Sequence, residues 1–266
     1  MRGIYRAFCW MLNLPGVRFL VRLAYRPYFA KASGKRRLFS GVYLTFDAAR
    51  AAAPRGKPTA YDDSGYGYVS NHNFINPSDY PVLYWLSRVI PPCKSLTDFG
   101  GNVGMAYYSF RKYLPFPRDF RWIVYDLPSI VEAGKKVRES EEYREQLSFT
   151  TNLKELNGAE IFYAAGSLQY APEALSTILS KLEHPPRHLL LNKLPVSQIA
   201  AYYTLQNTGT AFCPYGVVHQ EELVESLGSL GYGLVDVWTN PDLPLIIPDA
   251  ITYSLRAFSG MYFKLR

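Results

Sequence analysis

Residues 96–104 read Leu-Thr-Asp-Phe-Gly-Gly-Asn-Val-Gly, and this stretch decides the predicted fold. The segment Ser95–Phe99 has the length and composition of a buried strand, and Val103–Leu114 has those of a helix. The glycines between them permit a tight turn and the close approach of a ligand to the backbone. The free N–H groups at the start of a helix favour the same role. The stretch predicts a nucleotide-like cofactor site at the carboxyl edge of a sheet, with a plain tight turn as the alternative.

The spacing of this loop excludes two common nucleotide-binding motifs. GxGxxG is absent because Asn102 replaces its second glycine, and GxxxxGK[ST] is absent as well. What remains is DxGxNxG, in which Asp98 ends the strand where a cationic amine or sulfonium would pass. Asp126 ends the next apolar segment, Trp122–Tyr125, and its carboxylate can accept both hydroxyls of a ribose. A helix cap before Pro128 is a second role for Asp126, compatible with the first.

Strands and helices alternate from Pro91 onward, which predicts a parallel sheet covered on both faces. Before Pro91, helices are predicted from the cap Thr45 to Ala53 and from the cap Ser78 to Val89, with a polar loop at 61–76 between them. The predicted strands are Ser95–Phe99, Trp122–Tyr125, Ser148–Thr150, Glu160–Ala164, His188–Leu191, Leu234–Trp238 and Met261–Leu265. The predicted helices between them are Val103–Leu114, Ser129–Ser140, Pro172–Leu182 and Gln220–Leu230.

The positive charge of the chain, net +7, lies in its first forty residues. Before the first acidic residue, Asp47, the chain carries only basic charges: Arg2, Arg6, Arg18, Arg22, Arg26, Lys31, Lys35, Arg36 and Arg37. The rest of the chain is close to neutral, so its charge gives no reason to expect nucleic-acid binding.

This basic arm predicts two short amphipathic helices that are broken at Pro15-Gly16. In the second, Arg18, Arg22 and Arg26 form one stripe beside Phe19, Leu20 and Leu23. Such a surface is typical of a helix that lies on an anionic membrane, which predicts membrane contact through residues 1–37. Packing on its own domain or on a homodimer partner is an alternative, and a secretory signal is another.

The composition excludes several classes of protein. Hydrophobic residues make up 48% and charged residues 19%, which excludes a disordered chain. Three widely spaced cysteines argue against a disulfide scaffold and a zinc site, and favour a reducing, cytoplasmic compartment. No apolar run reaches the roughly 20 residues that span a bilayer. No His, Asp or Glu cluster has the spacing of metal ligands, so no metal is predicted.

The glycine loop resembles the first motif of class I S-adenosylmethionine-dependent methyltransferases, D/E-x-G-x-G-x-G. Asp98, Gly100 and Gly104 match it, and Asn102 departs from the middle glycine while tolerating a left-handed backbone. More narrowly, the chain from about residue 38 to its end resembles a bacterial methyltransferase family of surface-polysaccharide gene clusters. The matching segments are Phe39–Tyr43 with Ala48-Ala49, Asp98–Gly101, Ser167–Tyr170, Thr204–Asn207 and Gly260–Phe263.

This resemblance implies an α/β fold: a Rossmann-like, seven-stranded, mostly parallel sheet with an antiparallel last strand and helices on both faces. The charge and the pattern of elements along the chain predict three segments: a basic arm (1–40), a helical lid or substrate region (41–90) and a cofactor-binding core (91–266). The implied cofactor is S-adenosylmethionine. Its binding residues would be Asp98, Gly100, Gly101, Asn102 and Gly104 at the methionine end, Asp126 at the ribose, Leu127 and Asn152 at the adenine, and Ser167 and Leu168 near the sulfonium.

The expected reaction is O-methylation of a sugar hydroxyl in a bacterial surface glycan or its lipid-linked precursor, on the inner face of the membrane. Asp126-Leu127-Pro128 also resembles small-molecule O-methyltransferases, so a metabolite is the alternative acceptor. A non-catalytic membrane-associated scaffold is a further alternative. A hydroxyl loses a proton on methylation, so a general base or an orienting group is expected nearby. The candidates are His72, His219 and Tyr170.

Overall fold

The computed structural model describes residues 15–34, 37–59, 74–140 and 144–266. Its helices are α1 (Pro15–Lys31), α2 (Phe46–Ala51), α3 (Tyr80–Val89), α4 (Met105–Phe110), α5 (Pro128–Ser140), α6 (Leu175–Ser180) and α7 (Gln220–Gly228). Its strands are β1 (Leu38–Tyr43), β2 (Ser95–Phe99), β3 (Arg121–Tyr125), β4 (Leu147–Thr150), β5 (Ile161–Ala165), β6 (His188–Leu194), β7 (Val196–Ser197), β8 (Tyr202–Asn207), β9 (Phe212–His219), β10 (Tyr232–Asn240) and β11 (Phe258–Leu265). Short 3₁₀ helices occupy Pro77–Asp79, Arg144–Gln146, Leu153–Leu156, Leu168–Tyr170 and Pro248–Tyr253.

A seven-stranded sheet organises one compact unit, formed by the described residues of 67–194, 221–242 and 259–266. Its strand order is β10-β11-β6-β5-β2-β3-β4. Strands β2 to β6 run parallel to one another, and β11 runs antiparallel to β6. The predicted Rossmann-like sheet with an antiparallel last strand is therefore confirmed. Parallel pairing brings the carboxyl ends of β5, β2, β3 and β4 to one edge of the sheet.

The core of this unit lies between the sheet and its helices. Val82 and Leu86 of α3 are fully buried and pack in one cluster with Leu96 and Trp122 of the strands. Helix α3 falls in the segment predicted as a lid or substrate region, and its apolar face packs in this core. Helix α4 is shorter than predicted and ends at Phe110, since turns and two prolines follow it.

A second sheet, which the sequence did not predict, organises the other compact unit. This unit contains the described residues of 1–66, 195–220 and 243–258. Its strand order is β1-β8-β9-β7, with β1 antiparallel to β8 and β8 antiparallel to β9. The two units therefore differ from the predicted consecutive segments 1–40, 41–90 and 91–266. The reason is the pairing of β1 with β8, which joins the start of the chain to residues far along it.

Helix α1 is the second predicted helix of the basic arm, and it packs on its own unit. Phe29 is buried against Leu205 and Phe212, and the Asn207 side chain donates to the carbonyls of Phe29 and Ala32. The predicted alternative of packing on its own domain is confirmed for this helix. Residues 1–14, the first predicted helix, lie outside the described residues.

The two faces of α1 differ in character. Arg22 Nε donates to the Asp249 carbonyl at 3.2 Å, and Arg26 Nε lies 3.5 Å from the buried Asp249 carboxylate. Another part of the helix surface exposes three large apolar side chains, Phe19, Leu20 and Leu23, by 63–65%. Within the ranges that the structure describes, no helix is both long enough and apolar enough to cross a bilayer.

Candidate functional site

The loop that follows β2 has a left-handed backbone at three positions. The φ angles are +70° at Gly100, +55° at Asn102 and +88° at Gly104. The asparagine at the middle position tolerates this conformation better than most residues. A Cβ on Gly100 would lie 2.3 Å from Ser167 Cβ, and one on Gly101 would lie 2.4 Å from Asp98 Cγ. The loop backbone therefore lies directly against these two side chains, and no larger residue fits.

Asp98 places a buried carboxyl group beneath this loop. Asp98 is the penultimate residue of β2 and is 2% exposed, and its side chain accepts a hydrogen bond from Trp122 Nε1 at 3.2 Å. The pKa of Asp98 is raised to about 7, chiefly by burial; the Trp122 hydrogen bond opposes this shift, and the nearby charge of Asp126 adds to it. A cation placed beside Asp98 would favour its ionised form.

Asp126 follows β3, the strand next to β2, and its carboxylate is hydrogen-bonded to the loop that follows β2. Its Oδ2 accepts from the Asn102 backbone N–H at 2.8 Å, and its Oδ1 accepts from the Leu127 N–H at 2.7 Å. Burial raises the pKa of Asp126, and these two backbone hydrogen bonds oppose the shift. Asp126 thus bonds two backbone N–H groups that both lie outside α5, and its capping of that helix stays a prediction. Each oxygen keeps a further lone pair with which it can accept a ligand hydroxyl.

The remaining predicted cofactor residues follow β3, β4 and β5. Ser167 donates its hydroxyl to the Phe99 carbonyl, and Leu168 begins the short 3₁₀ helix after β5. Asn152 is exposed, and its side-chain oxygen accepts from the Lys154 N–H at 3.1 Å. Leu127 lies half-buried beside Asp126. All ten residues that the sequence predicts for the cofactor thus lie at the carboxyl ends of four adjacent strands.

The three candidate catalytic residues lie in different places. Tyr170 ends the 3₁₀ helix that begins at Leu168, so it lies at the same edge of the sheet. His219 ends β9 in the other compact unit and is half-buried. His72 lies outside the described residues. Among the residues that are described, no group of three His, Cys, Asp or Glu side chains could hold a metal ion.

Sequence reasoning missed a polar cluster at the carboxyl end of β6. Lys193 Nζ lies 2.8 Å from Asp79 Oδ1, and the Asn192 side chain also donates to Asp79, at 3.3 Å. Trp238 Nε1 donates to Asn192 Oδ1 at 3.1 Å. The signal that could have revealed this cluster is the charged residue Lys193, which follows the buried apolar run His188–Leu191.

No protein-family model and no curated protein matches the sequence. The solved structures that match the chain include methyltransferases. One is 1,6-didemethyltoxoflavin-N1-methyltransferase from Burkholderia thailandensis with bound 1,6-didemethyltoxoflavin and S-adenosylhomocysteine: 18% identity, TM-score 0.48, 71% of this chain and 79% of that one. A second is OxaC in complex with S-adenosylhomocysteine and oxaline: 17% identity, TM-score 0.46, 69% of this chain and 46% of that one. A third is the mitomycin 7-O-methyltransferase MmcR: 10% identity, TM-score 0.44, 70% of this chain and 54% of that one. The chain thus spans about half the length of OxaC and of MmcR. The ligands and activities that these names state are properties of those proteins.

Proposed function

We propose that the chain is an S-adenosylmethionine-dependent O-methyltransferase. The observation that carries this proposal is the loop from Gly100 to Gly104, whose left-handed backbone lies between the carboxyl groups of Asp98 and Asp126. An acid buried beneath a glycine loop suits the cationic methionine end of the cofactor, and a second acid at the adjacent strand suits its ribose.

Each residue of the site has a proposed task. Asp98, with Gly100, Gly101, Asn102 and Gly104, would bind the methionine end, and Asp126 would accept the ribose hydroxyls. Leu127 would pack on the adenine, and the Asn152 amide N–H would donate to its edge. Ser167 and Leu168 would close the site near the sulfonium. The bound cofactor supplies a methyl group on a positively charged sulfur, and the protein holds the acceptor in line with it.

We propose a sugar hydroxyl of a bacterial surface glycan or its lipid-linked precursor as the acceptor, with a small metabolite as the second candidate. The charge of the arm and the exposed apolar side chains of α1 support a location on the cytoplasmic face of an anionic membrane. A lipid-linked precursor is the acceptor that such a location would supply.

Calorimetry with S-adenosylmethionine and S-adenosylhomocysteine tests the cofactor site. We expect both to bind the full chain, and Asp126→Ala to weaken binding by about 1.5–3 kcal/mol, the usual contribution of hydrogen bonds to a charged group. Asp119→Ala is the matched control, since the Asp119 side chain is 65% exposed. Failure of both compounds to bind at millimolar concentration would exclude the proposed enzyme. Binding without methyl transfer to any sugar or phenol offered would favour the non-catalytic scaffold.

A further inference from the structure

Lys193 has a backbone conformation that residues with a Cβ rarely adopt. Its φ angle is +53°, in the left-handed region. Opposite it, Met261 of β11 pairs with Leu191 and Ser259 pairs with Leu194, so β6 contains one residue more than its partner between these pairs. The extra residue is a β-bulge, a feature that changes the direction of side chains and is common beside functional sites.

The bulge brings two successive side chains to one carboxylate. In a regular strand, neighbouring residues point to opposite faces, yet Asn192 and Lys193 both contact Asp79 Oδ1, at 3.3 Å and 2.8 Å. Asp79 Oδ2 accepts from the backbone and the side chain of Asn76. The Asp79 side chain is 7% exposed and that of Lys193 is 24% exposed. Lys193 has three N–H donors, and its salt bridge to Asp79 leaves donors for a ligand.

This cluster lies next to the proposed cofactor site. A Cβ built on Gly166 would lie 3.7 Å from Lys193 Cβ and 3.6 Å from Gln169 Nε2. The next residue, Ser167, packs against Gly100 of the cofactor loop. Tyr163 lies close to both sites. Its side chain is hydrogen-bonded to Asn192, and burial together with the charges of Asp79 and Asp98 raises its pKa.

Two buried amide oxygens border the cluster without a hydrogen-bond partner in the part of the chain that the structure describes. They are Gln169 Oε1 and Asn240 Oδ1, on residues that are 4% and 1% exposed. Asn240 Nδ2 donates to Asn192 Oδ1 at 3.0 Å, which places Asn240 in the network around Asp79. A buried acceptor without a donor is costly, so these oxygens favour a ligand that donates hydrogen bonds.

We propose that Lys193, Asp79, Gln169 and Asn240 bind a hydroxyl group of the methyl acceptor. This inference rests on the proposed function and specifies the acceptor as a neutral or anionic hydroxyl compound. A hydroxyl accepts from the Lys193 ammonium and donates to an amide oxygen, whereas a protonated amine would be repelled by Lys193. During transfer the oxygen–carbon bond forms as the sulfur–carbon bond breaks, sulfur keeps the electron pair, and the hydroxyl proton passes to water.

Nuclear magnetic resonance of the full chain, labelled with ¹³C at lysine Cε, tests this site. With S-adenosylhomocysteine present, we expect methyl glucopyranoside to shift the Lys193 signal saturably, and tetrahydropyran, the same ring without hydroxyls, to leave it unchanged. Lys193→Arg assigns the signal. Lys181, which forms an exposed ion pair with Glu173, is the internal control and should not respond. In Asp79→Asn we expect affinity for the probe to fall by about tenfold or more.

A Lys193 signal that ignores methyl glucopyranoside, or that responds equally to tetrahydropyran, would overturn the inference. Failure of S-adenosylhomocysteine to bind would instead overturn the proposed function, and the probe would then be tested on the protein alone. The bulge has a separate test that needs no ligand. Because the backbone at residue 193 is left-handed, Lys193→Gly should unfold at a higher temperature than Lys193→Ala. At Lys181, whose backbone is right-handed, we expect the reverse order.

Discussion

At the scale of single residues, the site depends on positions where one added atom cannot be accommodated. Gly100 and Gly158 both have a left-handed φ, +70° and +78°. A Cβ on Gly100 would overlap Ser167, whereas one on Gly158 would meet no atom of the described residues within 4 Å. Alanine variants at these two glycines therefore distinguish the effect of backbone strain alone from the effect of steric overlap with Ser167.

We expect Gly100→Ala to abolish binding of S-adenosylhomocysteine, because Ser167 must move and the loop with it. Gly158→Ala carries the same backbone strain and should bind the compound with unchanged affinity. Calorimetry on both variants, after circular dichroism has shown that they fold, gives the comparison. Equal affinity in the two variants would mean that the ligand binds away from the loop.

Asp98 predicts a pH dependence of cofactor binding. Its pKa of about 7 means that the carboxyl group is largely protonated one pH unit below neutrality. A cationic ligand prefers the ionised form, so affinity should rise with pH through this range and level off above it, by at most about tenfold per unit. Asp98→Asn should bind more weakly and show no such rise. Calorimetry one unit below and one unit above pH 7 measures this change in affinity. An affinity of the wild type that does not change with pH would mean that Asp98 does not bind the cationic group.

At the scale of helices and strands, the sequence predicted those elements that form one continuous apolar run and need no distant segment to be recognised. The strand Ser95–Phe99 is observed with the predicted bounds, and Asp98 and Asp126 were found because they end apolar runs. Strand β8 gave no such signal because both of its faces are buried: Thr204, Gln206 and Asn207 are polar and at most 2% exposed. Its pairing with β1 joins distant segments, which no local pattern records. Lys193 was missed because its bulge depends on the register of β11 against β6.

Helix α1 predicts salt-sensitive membrane binding. We expect the full chain to sediment with anionic vesicles at low salt and to be released as salt rises, since each basic residue near the surface contributes about 1 kcal/mol and salt screens it. Changing Phe19, Leu20 and Leu23 together to serine should abolish sedimentation without unfolding, because these side chains are exposed. Leu44→Ser, at a side chain 90% exposed elsewhere in the same unit, is the control. A wild-type chain that ignores anionic vesicles would refute membrane binding.

At the scale of the whole molecule, one buried histidine makes the free energy of unfolding depend on pH. His188 begins β6, is 6% exposed, and its Nδ1 lies 2.8 Å from the Tyr262 hydroxyl. Burial, with the charges of Lys264 and Arg187, lowers its pKa from 6.5 to about 4. Between these values the unfolded chain binds a proton that the folded chain does not, so this contribution to stability is lost as pH falls from 6.5 to 4.

His188→Gln should therefore lose stability less steeply than the wild type over that pH range. Urea unfolding at several pH values measures the slope. His184→Gln, at an exposed histidine four residues before His188, should follow the wild type. A wild-type slope in His188→Gln would mean that other groups govern the acid response.

The interleaved order of the two units has a consequence for how the protein is made. Ser40 of β1 donates a hydrogen bond from its hydroxyl to the carboxylate of Asp249, which lies 209 residues later in the chain. A ribosome that adds about 5–20 residues per second reaches Asp249 roughly ten to forty seconds after Ser40. For most of that time β1 has been synthesised while β8, β9 and Asp249 have not. We therefore expect the nascent chain to expose an unpaired strand edge during much of its synthesis, and such an edge favours pairing with other chains unless a chaperone covers it.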